Sequence, residues 1–219
     1  MAQVDKLAKA DTTVLLVGEP GTGKNLLARE LHARSARAEA PLVEVSLAAL
    51  STTLVESELF GHVSGAFTGA ERDRIGRFEA AGKGTLVLDG IEVLEELVQV
   101  KLLRVLQERV VEPLGSVDGV EVEARVLATA TPALQGRVQE GDYRKDLWYR
   151  LAVVVLEVPP LRARREDIEG LVEHLTARVA ARLGLSPRRI SRAALERLEA
   201  HTWPGNVREL ENAIERVHA

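Results

Sequence analysis

A glycine-rich segment near the start of the chain carries a lysine at a spacing that suits phosphate binding. Gly18-Glu-Pro-Gly-Thr-Gly-Lys24 follows the apolar run Val14–Val17 and precedes a helical pattern at residues 26–31. In such a loop the glycines let consecutive backbone N–H groups turn inward, the helix N-terminus adds a positive dipole, and the lysine reaches the outer phosphates. The segment predicts nucleotide binding; the alternative is a glycine-rich turn with a solvated lysine.

A strand-end carboxylate is the second candidate for chemistry. Asp89 follows the β-rich run at residues 85–88, and a carboxylate at the end of a parallel strand can hold Mg²⁺ through water. The alternative is a carboxylate in a simple turn. At the end of the glycine motif, Asn25 stands where a serine or threonine normally ligates Mg²⁺. We therefore do not expect the side chain at position 25 to bind the metal in the usual way.

Composition narrows the class of protein. The chain has 219 residues, of which 46% are hydrophobic, enough for one sizeable core and a small appended subdomain. The formal net charge of −4 provides no basic field for a nucleic-acid backbone, so we expect no direct DNA binding by this segment. Because the sequence has no cysteine, no signal sequence and no long uncharged apolar stretch, it predicts a cytoplasmic protein without a membrane-embedded part.

The elements that must position these side chains follow a strand–helix rhythm. Helix-length segments separate most of five β-rich runs, at residues 14–17, 42–45, 85–88, 125–130 and 153–158. This rhythm predicts an α/β fold with a mainly parallel five-stranded sheet between helices and ligands at the carboxyl ends of the strands. An amphipathic helix is predicted over residues 92–110. Beyond residue 160 the pattern changes to helices at 166–183, at 191–200 and after the turn at Trp203.

Further segments carry a family resemblance. They are Glu56-Ser-Glu-Leu-Phe-Gly-His62, Gly65-Ala-Phe-Thr-Gly-Ala70, Lys101-Leu-Leu-Arg-Val-Leu-Gln-Glu-Arg109, Pro159-Pro-Leu-Arg162 and Trp203-Pro-Gly-Asn-Val-Arg-Glu-Leu-Glu-Asn212. With the glycine motif, they resemble the AAA+ ATPase domain of sigma-54-dependent transcriptional activators (bacterial enhancer-binding proteins) over nearly the whole chain. The resemblance implies a P-loop AAA+ fold, with a nucleotide-binding subdomain at residues 1–160 and a helical lid at residues 161–219.

The resemblance also implies cofactors and partners. ATP and Mg²⁺ would be bound, and the chain would form a ring homo-oligomer, a hexamer or a heptamer, or a mixed oligomer that remodels the sigma-54 RNA polymerase holoenzyme. The predicted nucleotide-binding residues are Gly18, Glu19, Gly21, Thr22, Gly23, Lys24, Asn25, Leu26, Asp89 and Arg208. The predicted catalytic residues are Asp89, Thr131, Arg144 and Arg150.

Three arginines receive roles from the resemblance. Arg144 and Arg150 lie in a segment similar to the family's arginine fingers, whose planar guanidinium groups spread phosphate charge from across a subunit boundary. Judged without the family, surface ion pairs explain these two arginines better. Arg208 resembles the sensor II arginine that reports nucleotide to the lid, and its alternative is a charge on a helix surface.

A short uncharged loop is the predicted contact with sigma-54. Its residues are Gly65, Ala66, Phe67, Thr68, Gly69 and Ala70. Two glycines flanking one aromatic provide an apolar tip on a bendable loop, which suits protein contact. The alternative is a tight turn with Phe67 in the core. The resemblance implies that Phe67 and Thr68 contact sigma-54 and that nucleotide state raises or lowers the loop.

Four positions depart from the family pattern around one reaction. Gly90 replaces the glutamate that polarises the attacking water, Ser46 and Thr131 replace two asparagines, and Asn25 replaces a glutamate. A positioned general base contributes about 10²- to 10⁴-fold in rate, so we expect slow or absent hydrolysis with retained binding. Glu92 could substitute, although its place three residues past Asp89 predicts that it projects elsewhere.

Two other functions compete with an activator ATPase. One is a non-hydrolysing AAA+ interaction module that assembles with other subunits and lends them Arg144 or Arg150. The other is a P-loop kinase or transferase, which no acceptor-site motif in the sequence supports.

Overall fold

The computed structural model describes residues 2–188 and 190–218; the predicted outer ends of the two subdomains, Met1 and Ala219, lie outside the described residues. The chain forms two compact units. The α/β unit comprises the described residues up to Val17 together with Asn25–Leu156, and the second unit comprises Gly18–Lys24 and the chain from Glu157 onwards. The phosphate loop therefore clusters with the C-terminal helices, although it follows the first strand in sequence.

Nine strands and ten α-helices occur in the described part of the chain. The strands are β1 (Val14–Val17), β2 (Leu42–Ser46), β3 (Gly61–His62), β4 (Arg74–Ile75), β5 (Thr85–Asp89), β6 (Val110–Val111), β7 (Val120–Glu121), β8 (Arg125–Ala130) and β9 (Val154–Glu157). The helices are α1 (Ala2–Lys9), α2 (Lys24–Ala33), α3 (Thr52–Phe60), α4 (Arg77–Ala81), α5 (Glu96–Glu108), α6 (Ala133–Glu140), α7 (Lys145–Leu151), α8 (Ile168–Leu183), α9 (Arg192–Ala200) and α10 (Asn206–His218).

The main sheet has the strand order β2-β5-β8-β1-β9. The pairs β2–β5, β5–β8 and β1–β8 are parallel, and every residue of the central strand β8 is buried. Such burial is typical of parallel sheets that helices cover on both faces. The predicted five-stranded α/β fold is confirmed. Its register places Ser46 beside Asp89 and Asp89 beside Thr129, so the carboxyl ends of three strands meet at one edge.

The helix predicted over residues 92–110 is wrong at both ends. A short 3₁₀ turn, Ile91–Val93, comes first, and the extended backbone of Leu94 and Glu95 delays α5 until Glu96. At the other end Arg109 adopts φ 57°, which ends the helix before β6 begins. The apolar residues do recur at helical intervals, but the pattern also includes Leu94, which lies between the 3₁₀ turn and the start of α5.

The C-terminal unit has its own apolar core. Two 3₁₀ turns, Leu161–Ala163 and Arg165–Asp167, lead into α8, whose buried face packs with α10. The Ser191 side chain accepts a hydrogen bond from the Ala194 amide and caps α9. No helix in the described ranges is long and apolar enough to cross a bilayer.

Candidate functional site

The phosphate loop needs its glycines for two different reasons. Gly21 and Gly23 adopt φ 78° and 98°, a backbone region that side chains other than glycine's rarely occupy. Gly18 and Gly21 are also closely approached, since a Cβ atom would lie 2.7 Å from the Val158 carbonyl oxygen at Gly18 and 2.3 Å from the Gly205 carbonyl oxygen at Gly21. Around Gly23, apart from its chain neighbours, no atom of residues 2–188 and 190–218 lies within 4 Å of the Cβ position. The loop is thus packed on one side and open at its last glycine.

The loop lysine and threonine are both held by the loop itself. Lys24 Nζ donates to the carbonyl oxygens of Gly18 at 2.7 Å and Glu19 at 3.0 Å. Thr22 Oγ1 donates to the Glu19 carbonyl oxygen at 2.8 Å, and its side chain is buried. These bonds keep the ammonium group at the loop, where phosphate oxygens would be recognised.

Glu19 connects the loop to the C-terminal segment of the same unit. Arg162 donates to both carboxylate oxygens, at 2.8 and 2.5 Å, and Asn206 Nδ2 donates to Oε2 at 3.2 Å. These hydrogen bonds, that of Arg162 before that of Asn206, lower the pKa of the Glu19 carboxyl to about 2. The side chain is therefore an anion that fastens the loop to two partners.

Asn206 is the main anchor of the loop. The residue is fully buried at φ 53°, and besides its bond to Glu19 it donates to the Pro20 carbonyl oxygen at 3.0 Å and accepts from the Leu161 amide at 2.8 Å. An asparagine tolerates this left-handed conformation better than most residues. Both N–H donors of the Asn206 side chain thus bind the loop, while its oxygen holds the Leu161 amide.

Arg208 lies beside the loop. Its side chain is exposed, and its Cβ atom is 3.1 Å from the position that a Cβ atom would take at Gly21. The backbone amide of the preceding residue, Val207, donates to the Gly21 carbonyl oxygen at 3.0 Å. The structure therefore brings the predicted sensor II position to the glycine loop within one unit.

At the sheet edge of the α/β unit, the Asp89 carboxylate has two donors. Thr129 Oγ1 donates to Oδ1 at 2.5 Å, and Asn25 Nδ2 donates to Oδ2 at 3.0 Å. The Gly90 amide also donates to Thr129 Oγ1 at 3.1 Å. Carboxylate, hydroxyl and amide oxygens are ligands that suit Mg²⁺ and its water shell. The residues therefore fit a magnesium ion held through water, while no group of three metal-ligating side chains occurs among the described residues.

The expectation that Glu92 projects away from this edge is wrong. Its Oε1 accepts from the Thr131 amide at 3.2 Å, and its Oε2 lies 4.0 Å from the position that a Cβ atom would take at Gly90. The cause is local: Gly90 adopts a left-handed conformation (φ 81°, ψ 52°), and the 3₁₀ turn that follows carries Glu92 back to the strand end.

The two predicted finger arginines have partners within the chain. Arg144 forms two bonds with Asp146, Nε–Oδ1 at 3.1 Å and Nη2–Oδ2 at 2.7 Å, and this pairing raises the pKa of Arg144 and lowers that of Asp146. Arg150 donates twice to the Leu106 carbonyl oxygen, at 3.1 and 2.8 Å. Both residues are partly or fully exposed. The finger role stays a prediction, because a neighbouring subunit would have to compete with these bonds.

The loop predicted to contact sigma-54 projects from the short antiparallel pair β3–β4. It closes on itself through the Gly65 amide, which donates to the Ala70 carbonyl oxygen at 2.8 Å, and Gly69 adopts φ 101°. Phe67 is half-buried against His62, with the ring centroids 5.0 Å apart, while Thr68 is exposed. Phe67 thus rests on the base of the loop instead of entering the main core.

Family comparisons agree with this geometry. Residues 1–157 match the Sigma-54 interaction domain, and residues 162–219 match the AAA+ ATPase lid domain. The chain belongs to the Sigma-54 interaction domain family. It is 50% identical over 214 residues to the C4-dicarboxylate transport transcriptional regulatory protein DctD of Pseudomonas aeruginosa, covering 98% of the chain and 46% of DctD. It is 48% identical over 217 residues to the transcriptional regulatory protein ZraR of Escherichia coli, covering 99% of the chain and 49% of ZraR.

Solved structures give the same result. The structure of NtrX from Brucella abortus in complex with ADP has a TM-score of 0.91 and 38% identity, covering 98% of this chain and 47% of NtrX. NtrX in complex with ATP has the same score and identity, with 99% and 47% covered. Hsp104, at 16% identity and a TM-score of 0.70, shares the fold. This sigma-54 interaction domain spans about half the length of the curated relatives it matches.

Three residues of this domain escaped the sequence reasoning. Thr129 could have been found, because it lies near the end of the β-rich run at residues 125–130, and ligands bind at the carboxyl ends of parallel strands. The indication for Asn206 was weaker. An asparagine directly after Pro204-Gly205 favours a turn at the start of a helix, but it does not indicate a contact with the glycine loop. Nothing in the sequence indicated that Arg162 would pair with Glu19.

Proposed function

We propose that this chain is the ATP-binding AAA+ module of a sigma-54-dependent transcriptional activator. The observation that carries the proposal is the phosphate loop, in which two positive-φ glycines and Lys24 form a cradle with one open side. Gly18, Gly21, Thr22, Gly23 and the following helix start would bind the phosphates through backbone N–H groups. The relative NtrX, solved with ATP and with ADP, supports the choice of ligand.

Metal binding is assigned to the sheet edge. Asp89, oriented by Thr129 and Asn25, would hold Mg²⁺ through water, and the ion would neutralise charge on the phosphates. Arg208 would report nucleotide binding to the lid, and Arg144 and Arg150 would act on the nucleotide of a neighbouring subunit in a ring.

Hydrolysis by this module is expected to be slow. Gly90 provides no side chain where the family places a glutamate, and the loss of a base from that position removes up to about 10⁴-fold in rate. Electrostatic stabilisation from the loop, the metal and the arginines would remain. Binding and assembly, not turnover, would therefore be the better-preserved part of the function.

The partner-binding surface is assigned to residues 65–70. The exposed Thr68 and the half-buried Phe67 offer a small contact surface for the sigma-54 RNA polymerase holoenzyme, and the two glycines let the loop lift Phe67 off His62. We further propose that the module acts in the cytoplasm, without direct contact with DNA or membrane.

Substitution of Lys24 tests nucleotide binding directly. Lys24→Ala removes a charged hydrogen-bond donor to phosphate, so the affinity for ATP should fall about 10- to 100-fold in equilibrium binding with a fluorescent ATP analogue. Lys83→Ala is the matched control, because its side chain is exposed and pairs only at 3.5 Å with Glu123. Equal affinities for the two variants and the unmodified chain would contradict the proposal.

A second candidate function is a non-hydrolysing subunit of a mixed ring, which Gly90 favours. Here Arg144 or Arg150 would serve a hydrolysing neighbour. Titration of this chain into a related domain that retains the Asp-Glu pair should change the ATPase rate of that partner. An unchanged rate at every ratio, with no mixed oligomer by native mass spectrometry, would exclude this function.

A further inference from the structure

The strand edge holds a carboxylate although residue 90 has no side chain. Glu92 Oε2 lies 4.0 Å from the ideal Cβ position at Gly90. The carboxylate oxygens of a glutamate lie about 3 to 4 Å from their own Cβ atom, as bond lengths dictate. One carboxylate oxygen of Glu92 therefore lies at about the distance from the strand end that a glutamate at position 90 would span with its own carboxylate.

The position of Glu92 is fixed at its backbone and its side chain. The left-handed Gly90 starts the 3₁₀ turn, and Ile91 is fully buried. The Glu92 carbonyl oxygen accepts from Arg137 Nη1. On the side chain, Oε1 accepts from the Thr131 amide at 3.2 Å. A group held at both ends is pre-organised, which is what catalytic geometry requires.

The second oxygen of the same carboxylate is buried and unpaired among the described residues. Glu92 Oε2 is inaccessible to bulk solvent and has no hydrogen-bond partner within the part of the chain that the structure describes. An unsatisfied buried acceptor costs about 1–3 kcal/mol. A hydrogen bond donated by a water that enters with the bound nucleotide would remove this cost. The same carboxylate thus contacts Thr131 through Oε1 and approaches residue 90 with Oε2, and the family gives catalytic roles to both positions.

We propose that Glu92 is the carboxylate that orients and deprotonates the attacking water in this chain, in place of the missing glutamate. The inference rests on the proposed ATP binding. The water oxygen forms a bond to the γ-phosphorus while the bond from that phosphorus to the β–γ bridging oxygen breaks. The water proton passes to Glu92 Oε2, and the products are ADP and inorganic phosphate. Because Oε1 is already committed to Thr131, only one oxygen serves the water.

A conservative substitution tests this role. Glu92→Gln preserves the size of the side chain and an acceptor for the Thr131 amide but removes the base. With enzyme in excess over γ-labelled ATP, phosphate release should fall about 100-fold or more, while ATP affinity stays within about twofold. Glu121→Gln, an exposed glutamate on β7, is the matched control and should leave both quantities unchanged.

A second variant probes whether the two positions share one role. Gly90→Glu combined with Glu92→Gln should raise phosphate release above that of Glu92→Gln alone, since it returns a carboxylate to the same neighbourhood. Its thermal unfolding is measured alongside, because φ 81° at residue 90 disfavours a side chain; if this variant does not fold, Glu92→Gln decides alone.

The outcomes separate the two proposals. ATP binding with Glu92→Gln releasing phosphate as fast as the unmodified chain would overturn the role of Glu92, and so would ATP binding with no detectable release by the unmodified chain. In both cases ATP binding would stand. Failure of the unmodified chain to bind ATP would instead overturn the proposed function itself.

Discussion

The phosphate loop and the strand edge differ in how they are held. In the loop, the glycines approach neighbouring backbone closely, and Asn206 and Arg162 fasten Glu19 and Pro20 from the same unit. At the strand edge, a Cβ atom at Gly90 would meet no atom of the described residues closer than 3.9 Å, its chain neighbours apart. Beyond those neighbours, the carboxylate nearest to this position belongs to Glu92, two residues further along the chain. The segment predicted to bind the phosphates is thus tightly constrained, whereas the edge predicted to support hydrolysis departs from the family pattern at Gly90.

The largest expected effect is on the loop side. Gly21→Ala would place a Cβ atom 2.3 Å from the Gly205 carbonyl oxygen at φ 78°, so the free energy of unfolding should fall by at least about 3 kcal/mol and ATP binding should be lost. Urea denaturation measures the first quantity. Gly170→Ala in α8 should instead stabilise the protein by about 0.5–1 kcal/mol, because, its chain neighbours and its own helix backbone apart, no described residue has an atom within 4 Å of the Cβ position. Similar curves for the two variants would refute the tight packing of the loop.

A smaller effect is expected at the anchor of the loop. Asn206→Ala removes three hydrogen bonds at a left-handed position and leaves the Leu161 amide buried without its partner. The free energy of unfolding should fall by about 2–4 kcal/mol, again by urea denaturation. Asn212→Ala, at an exposed site on the same helix, serves as the control and should change stability by less than about 0.5 kcal/mol. An Asn206→Ala variant as stable as this control would mean that the loop does not depend on its anchor.

The smallest effect is a pH dependence of stability. The pKa of Glu19 falls from 4.5 to about 2 through Arg162 and Asn206. A carboxyl with a depressed folded-state pKa contributes stability above its unfolded-state pKa, and this contribution is lost as the pH falls from about 4.5 towards 2. In thermal unfolding scanned from pH 6 to pH 2, Glu19→Gln should be less stable than the unmodified chain at pH 6, and the difference should shrink at pH 2. A constant difference across this range would argue against the ion pair.

The sequence predicted the frame of the site better than its finer chemistry. Strand periodicity placed Asp89 correctly because the ends of buried parallel strands follow from local pattern. Glu92 was misplaced because the direction of a side chain after a strand depends on whether the next turn is left-handed, and Gly90 permits but does not dictate that conformation. Asn206 and Arg162 act on the loop from more than 140 positions away along the sequence; no local pattern encodes such contacts.

The proposed function requires that this module bind ATP and hydrolyse it slowly. The most direct test measures equilibrium ATP binding and single-turnover phosphate release on the same preparation, beside a sigma-54 interaction domain that retains the Asp-Glu pair. We expect comparable affinities and a phosphate release at least about tenfold slower for this chain, because Glu92 replaces only part of the 10²- to 10⁴-fold contribution of a fully positioned base. Equal release rates, or an absence of binding at saturating ATP, would contradict it.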